Sequence, residues 1–222
     1  MNMYSYPSYF RANPNGRPGK ITVTGEHKMY VDPDQAVVSL GVVTQGEDLE
    51  EAQRQNVQRS NRVVQSLVDN GIPKKDIQTS TYQIFPKYHY EDGKQIFMGY
   101  EVRHVFTITV SEIDSLGKII DEAIKSGANR VENIQFVNSD PAKTYQQALA
   151  AAYHEAHEKA LTLSNQSGQQ LDPHPKSITE HSGTAVIPFA PTALVQGAED
   201  STSLQPGQIG VTASLTVEYR TY

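Results

Sequence analysis

Residues 79–110, TSTYQIFPKYHYEDGKQIFMGYEVRHVFTITV, carry the clearest structural signal in the chain. Two runs of alternating apolar and polar residues are joined by Glu91-Asp92-Gly93-Lys94. An Asp-Gly pair between alternating runs is typical of a two-residue hairpin turn, because both central residues adopt positive φ. The stretch therefore predicts a long β-hairpin. Pro86 has no amide hydrogen to give to a ladder, so we expect its strand at a sheet edge or with a bulge there.

Upstream of the hairpin, the pattern predicts two strands and a long helix. Residues 21–24 alternate, and residues 36–43 alternate after an Asp32-Pro33-Asp34 turn. From Asp48 the apolar residues recur at helical spacing. Gly71 follows the last of them, and glycine commonly ends a helix. The sequence therefore predicts an amphipathic helix of about six turns.

Downstream, the pattern predicts two more helices and three strands. A short helix is expected over 114–126, a strand over 131–137, and a long helix that Asp140-Pro141 opens. The long helix has an alanine at every fourth position, namely Ala148, Ala152, Ala156 and Ala160. This stripe of small side chains favours close approach to a neighbouring element. A short strand over 176–182 and the alternating run 211–219 complete the chain.

The order strand–helix–strand–strand occurs twice in this interpretation, over 35–110 and over 130–220. The sequence thus predicts an α+β fold with mixed, largely antiparallel sheets, packed amphipathic helices and a suggested duplication of that unit. Residues 1–19, rich in Tyr, Pro, Asn and Gly, are expected to form an irregular N-terminal arm before a domain over 20–222. The arm is interpreted as an untethered tail, as a segment whose rings lie on a neighbouring subunit, or as an attachment segment.

Composition excludes several classes of function. The 222 residues carry a net charge of −6, which argues against broad binding of a nucleic-acid backbone. The absence of cysteine excludes disulfides, thiolate catalysis and cysteine-based metal centres. No stretch approaches the roughly 20 apolar residues that a membrane helix needs, and no secretory leader is visible. We therefore expect a soluble chain without a membrane span, cytoplasmic as the sequence stands.

Several short segments occur in a fixed order along the chain: Ile21–Glu26, Pro33–Ala36, Gly71–Thr79, Pro86–Tyr88, Gly99-Tyr100, Gly127–Val131, Ile134–Phe136, Ala148 with Ala152, Pro206-Gly207 and Val217–Tyr219. Together they resemble the SIMPL-domain family over residues 20–220. The resemblance implies an α+β domain, ring-like or channel-like homo-oligomers in some bacterial relatives, and no established catalytic residues. It also implies a cell-envelope or extracellular setting and a link to stress protection. The Tyr-rich arm does not belong to the family pattern.

Motifs that would carry chemistry are weak in this sequence. His154 and His157 are three residues apart, whereas zinc-protease helices use a spacing of four, so a polar helix face explains them better. Asp32 and Asp34 flank a proline in the manner of a turn, as does Asp172. No nucleophile elbow or phosphate-binding loop is present. The sequence predicts no catalytic, cofactor-binding or metal residue, and no cofactor.

Two further features bear on partners. Tyr82, Tyr88, Tyr90 and Tyr100 surround the hairpin among basic residues, which would suit stacked bases, but Tyr is also a common strand residue and nearby acids offset the charge. The loop 183–207 contains an apolar cluster that predicts a subunit interface or a fold back over its own sheet. The cluster consists of Val186, Ile187, Phe189, Leu194 and Val195.

The hypothesis from the sequence is a non-enzymatic, self-assembling scaffold or protein-interaction domain that forms a homo-oligomer and accepts a protein partner. The alternative is a small-ligand-binding protein or enzyme with an unrecognised pocket. A buried and mutually bonded set formed by Tyr100, Glu101, Arg103 and His104 would favour that alternative.

Overall fold

The computed structural model describes residues 19–181, 187–188, 202 and 204–222. Its strands are β1 (Gly19–Val31), β2 (Gln35–Gly46), β3 (Ile77–Glu91), β4 (Lys94–Val110), β5 (Arg130–Val137), β6 (Ser177–His181), β7 (Ile187–Pro188) and β8 (Ile209–Thr221). Its α-helices are α1 (Leu49–Asp69), α2 (Leu116–Lys125) and α3 (Pro141–Gln166). This is the predicted α+β fold, with two antiparallel sheets. None of these helices has the length and apolar character needed to cross a membrane.

The chain divides into two compact units. One unit lies within residues 30–141 and 187–209 and contains the sheet β3-β4-β2-β5. In this sheet β2 pairs with β4 from Ala36↔Val110 to Gly46↔Tyr100. Helices α1 and α2 supply Leu67, Leu116 and Ile120 to a hydrophobic core. On the sheet side, every second residue of β2 and β4 packs into the same core. Burial of this apolar face is the main stabilising contribution in the unit.

The start and the centre of α1 are set by two polar side chains. Asp48 occupies the N-cap position, and its side chain accepts a hydrogen bond from the Glu51 amide. Asn56 is fully buried and donates through Nδ2 to the carbonyl oxygens of Val42 at 3.0 Å and Val102 at 3.1 Å. The helix is therefore tied to both central strands by hydrogen bonds as well as by apolar packing.

The other unit combines the strands β1, β8 and β6, side by side in that order, with α3. The alanine stripe of α3 is fully buried, as the close-approach prediction requires. Gly25 of β1 lies so near the helix that a Cβ built on it would be 1.9 Å from the carbonyl oxygen of Ala152. Val23, Leu215 and Tyr219 complete this second core.

The predicted order of elements is confirmed, and the sheets add a feature that the order does not contain. Strand–helix–strand–strand recurs as β2-α1-β3-β4 and as β5-α3-β6-β8, with the two-residue β7 before the last strand. However, β5 pairs with β2, from Gln35↔Val137 to Gly41↔Arg130. The strands of the two repeats therefore do not form two separate sheets, because β5 of the second repeat joins the sheet of the first.

Candidate interaction surface

The hairpin of β3 and β4 turns at Asp92 and Gly93, which have φ angles of +48° and +75°. These values confirm the predicted two-residue turn. β3 is an end strand of its sheet, which confirms the edge position predicted from Pro86. Every residue from Tyr82 to Met98 except Lys87 is exposed. The outer half of the hairpin is therefore a two-stranded ribbon with little cover from the described residues of its own unit.

One face of this ribbon carries a row of aromatic and aliphatic side chains, which we call the ring face: Tyr82, Ile84, Tyr88, Tyr90, Phe97 and Tyr100. The register puts Ile84 opposite Val102 and Tyr88 opposite Phe97. Phe97 contacts Tyr88 and Tyr100 edge-on, with ring centroids 5.7 Å and 5.2 Å apart. Tyr88 and Phe97 are each 48% exposed and Tyr90 is 69% exposed. A contiguous exposed patch of this kind is typical of an interaction site.

A bulge aligns the two strands so that their rings share one face. The register shifts between Lys87 and Tyr88, where Gly99 pairs with Lys87 and Phe97 pairs with Tyr88. Gly99 has φ +106°, and a Cβ there would be 2.3 Å from the Gly46 carbonyl oxygen. Only glycine fits this position, and the bulge that it allows turns Phe97 toward Tyr88.

The opposite face of the ribbon carries charged groups beside the exposed Phe85 and Ile96. The Lys87 ammonium donates to Gln45, the Gln45 amide donates to Glu101, and Arg103 forms an ion pair with Glu101 at 3.1 Å. The Arg103 guanidinium lies 5.7 Å from the centroid of the Phe85 ring. These charged groups pair with one another or with β2, whereas the buried Nε of Arg103 has no hydrogen-bond partner among the described residues.

At the base of the ring face, His104 links the ribbon to the core. Its ring lies edge-on to Tyr82 at 5.2 Å and 4.2 Å from Phe106, and Nε2 is 3.0 Å from the Thr79 hydroxyl oxygen. Burial lowers the pKa of His104. Gln53 of α1 donates to the Tyr82 hydroxyl, so a side chain of α1 contacts the ring face at Tyr82.

The four residues proposed as a buried bonded set are not brought together. Tyr100 and His104 occupy the helix side of β4, whereas Glu101 and Arg103 occupy the other side. The only contact within the set that the described residues show is the ion pair of Glu101 with Arg103. The observation that would have favoured an enclosed ligand site is thus absent from this part of the fold.

The two histidines of α3 lie in different surroundings, and His157 contacts the core of its own unit. His157 Nδ1 is 3.2 Å from the hydroxyl oxygen of the buried Tyr219, and the two rings are 5.6 Å apart. His154 is exposed on another side of the helix. Among the residues that the structure describes, His, Asp and Glu side chains nowhere form a group of three suited to a metal ion.

The aspartates predicted to mark turns do so. Asp34 accepts hydrogen bonds from the amide and the hydroxyl of Ser139, and these bonds lower the pKa of its carboxyl. Asp32 accepts from the side-chain amide of Gln208, and Asp172 accepts from the His174 amide. Each carboxylate holds a loop in place.

The candidate interface of the loop 183–207 lies outside the described residues, apart from the backbone of Ile187 in β7. Its five residues, Val186, Ile187, Phe189, Leu194 and Val195, therefore stay a prediction. A groove of about 570 Å³ runs between α1 and α2, where Arg62 and Lys125 face Asp69 and Glu122. Its mixture of both charges selects no class of ligand.

The tyrosines of the ring face were predicted from the sequence, whereas Phe97 and the other apolar residues beside the turn were not. A signal was present, because Ile96-Phe97-Met98 breaks the alternation that precedes and follows it. Three apolar residues in succession near a hairpin turn cannot all point to one core, so at least one of them has to be exposed.

Fold and surface together define a class: an α+β protein of two sheets whose longest hairpin exposes a row of rings and whose ionisable residues hold loops and strands in place. The chain belongs to the SIMPL family, described as "Protein of unknown function (DUF541)", whose profile matches residues 21–219. This confirms the resemblance found in the sequence.

Named relatives agree with this assignment. The chain is 32% identical over 174 residues to the "26 kDa periplasmic immunogenic protein" of Brucella melitensis. The aligned region covers 76% of this chain and 70% of that protein. It is 29% identical over 153 residues to "Uncharacterized protein YggE" of Escherichia coli, covering 69% of this chain and 62% of the relative.

Proposed function

We propose that this chain is a non-enzymatic domain that assembles with copies of itself through the ring face. The observation that carries the proposal is the row of exposed side chains on the outer hairpin, with Tyr88, Tyr90 and Phe97 each about half exposed or more. Burial of apolar surface stabilises an association by about 25 cal/mol per Å², and aromatic rings contribute most to such contacts.

The charges beside the ring face suit a second copy. The chain as a whole carries −6, so copies repel each other at long range. The end of the hairpin instead carries Lys87 and Lys94 with Glu91 and Asp92, equal numbers of opposite charges. A contact made at this end therefore avoids the repulsion that the rest of the surface would impose.

The non-enzymatic part of the proposal is supported by the use the fold makes of its ionisable groups. Asp34 and Asp121 hold loops by accepting hydrogen bonds from Ser139 and Thr202. His157 contacts the hydroxyl of Tyr219. We further propose a role in the cell envelope, supported by the word "periplasmic" in the name of the Brucella relative. A link to stress protection rests on the family resemblance alone.

The proposal is tested by the native mass of the full chain in solution, measured by light scattering after gel filtration. We expect a mass of several 24.6 kDa chains for the natural sequence. The double variant Tyr88→Ser/Phe97→Ser should shift the mass toward a single chain with an unchanged far-ultraviolet circular dichroism spectrum.

A matched control lies on the other face of the same ribbon. His89 pairs with Ile96 one position nearer the turn, and the variant His89→Ser/Ile96→Ser removes a similar side-chain volume there. Its mass should equal that of the natural chain. A natural chain that stays a single subunit at 100 μM, or a Tyr88→Ser/Phe97→Ser variant that assembles normally, would contradict the proposal. The variant Phe189→Ser/Leu194→Ser tests the loop prediction in the same assay.

A further inference from the structure

We infer that the segment which covers the ring face comes from the N-terminal arm of a second copy of the chain, namely residues 1–18, since Gly19 already belongs to β1. This inference rests on the proposed self-assembly and names the part of the second copy that makes the contact.

The open edge of β3 favours a partner that binds by side chains. Among the residues that the structure describes, β3 has a strand neighbour on one side only, and its pairing with β4 runs without a register shift from Thr81↔Val105 to Lys87↔Gly99, past Pro86↔Tyr100. The amide hydrogen that Pro86 lacks would be needed by a strand added to the outer edge. A continuous hydrogen-bond ladder between β3 and an added strand would therefore be interrupted in the middle of the ring face. A bound segment would gain most of its binding free energy from contact with the rings of Tyr88 and Phe97.

The arm has the composition of such an occupant. It precedes β1 and contains Tyr4, Tyr6, Tyr9 and Phe10. Its prolines, Pro7, Pro14 and Pro18, also prevent a continuous ladder. Segments that combine proline with apolar side chains bind aromatic-lined surfaces, because proline keeps the peptide extended and reduces the entropy lost on binding. Rings on both sides can pack edge-on, as Phe97 already packs on Tyr88.

The arm is basic, whereas the chain as a whole is acidic. Residues 1–18 contain Arg11 and Arg17 and no Asp or Glu, in a chain whose net charge is −6. Glu91 and Asp92 are exposed at the end of the hairpin beside the ring face. An arginine on the arm can therefore approach a carboxylate while the rings are in contact.

The arm is long enough to lie along the whole ring face. Eighteen extended residues span about 60 Å, since each residue adds at most about 3.3–3.6 Å. This reach exceeds the length of the ring face, because the seventeen residues of β4 span roughly 57 Å at about 3.4 Å each and the ring face occupies only part of them.

Complementation between two full-length variants tests the inference. The first variant lacks the arm rings and carries Tyr4→Ser, Tyr6→Ser, Tyr9→Ser and Phe10→Ser. The second is the ring-face variant Tyr88→Ser/Phe97→Ser, which keeps its arm. Each alone should have the mass of one chain. An equimolar mixture should form a species of two chains, because the arm of the second binds the ring face of the first. Asn13→Ser/Asn15→Ser, an arm variant with all its rings, should assemble like the natural chain.

The outcomes separate this inference from the proposed function. If the chain without arm rings keeps the natural mass while the ring-face variant loses it, the arm is not the occupant and self-assembly through the ring face stands. If the mixture stays at single-chain mass, the arm does not bind in trans and the inference is overturned. If the ring-face variant keeps the natural mass, both proposals are overturned.

Discussion

At the scale of single residues, Asn56 shows how one buried amide joins a helix to a sheet. It donates to the carbonyl oxygens of Val42 and Val102, on the two central strands. Asn56→Ala removes both hydrogen bonds and leaves two buried acceptors without this donor. We expect a loss of about 2 kcal/mol in the free energy of unfolding, measured by urea denaturation.

The control for this prediction is an exposed residue two positions further along the same helix. Gln58→Ala changes a similar side chain in solvent and should alter the free energy of unfolding by less than about 0.5 kcal/mol. If both variants unfold at the same urea concentration, Asn56 does not tie α1 to the sheet.

The ion pairs of Glu218 should make the stability of the protein depend on pH. Hydrogen bonds from Lys176 and Lys20, at 2.7 Å and 2.9 Å, lower the pKa of its carboxyl to about 2. Because the folded pKa lies below the ordinary value of 4.5, the contribution to stability is complete above that value and is lost as pH falls toward 2. Glu218→Gln should therefore lower the thermal midpoint at pH 7, and the difference from the natural chain should vanish near pH 2.

Glu158→Gln is the matched control for the pH series, because Glu158 is exposed on α3. Its thermal midpoint should follow the natural chain from pH 7 to pH 2. A constant difference between Glu218→Gln and the natural chain over that range would show that the carboxylate charge is not responsible.

At the scale of elements, the distance between α3 and β1 depends on two kinds of small residue. Four alanines on the helix are fully buried, and Gly25 on the strand meets the Ala152 carbonyl oxygen. Gly25→Ala would place its methyl 1.9 Å from that oxygen, so the helix has to move away. We expect a loss of about 1–3 kcal/mol in the free energy of unfolding by urea.

Gly46→Ala in β2 provides a comparison, because the nearest atom to its added methyl is 3.4 Å away. This variant should be close to the natural chain in stability. Equal losses for the two variants would mean that glycine content in strands, rather than the contact of α3 with β1, determines the result.

Local signals explain which elements the sequence could predict. The turn at Asp92-Gly93, the edge position of Pro86 and the alanine stripe of α3 each follow from a few neighbouring residues. The pairing of β5 with β2 joins Val137 to Gln35, about a hundred positions apart, and no local pattern specifies it. Whether Phe97 is exposed also depends on how far α1 packs over the hairpin, and no local pattern in the sequence specifies that packing. The ring face was therefore only partly predictable.

At the scale of the whole molecule, two separate cores predict two regions of protection from hydrogen exchange. Leu215 is buried in the core with α3, and Leu40 is buried in the core with α1 and α2. Replacing either by alanine leaves a cavity and costs about 2–5 kcal/mol. Leu215→Ala should speed exchange of amides in β8 and α3 much more than in β4 and α1, and Leu40→Ala should do the reverse. The measurement is deuterium uptake by peptide mass spectrometry under native conditions.

The two variants are each other's control, because the substitution is the same and only the core differs. Equal acceleration throughout the chain in both variants would show that the two cores unfold as one.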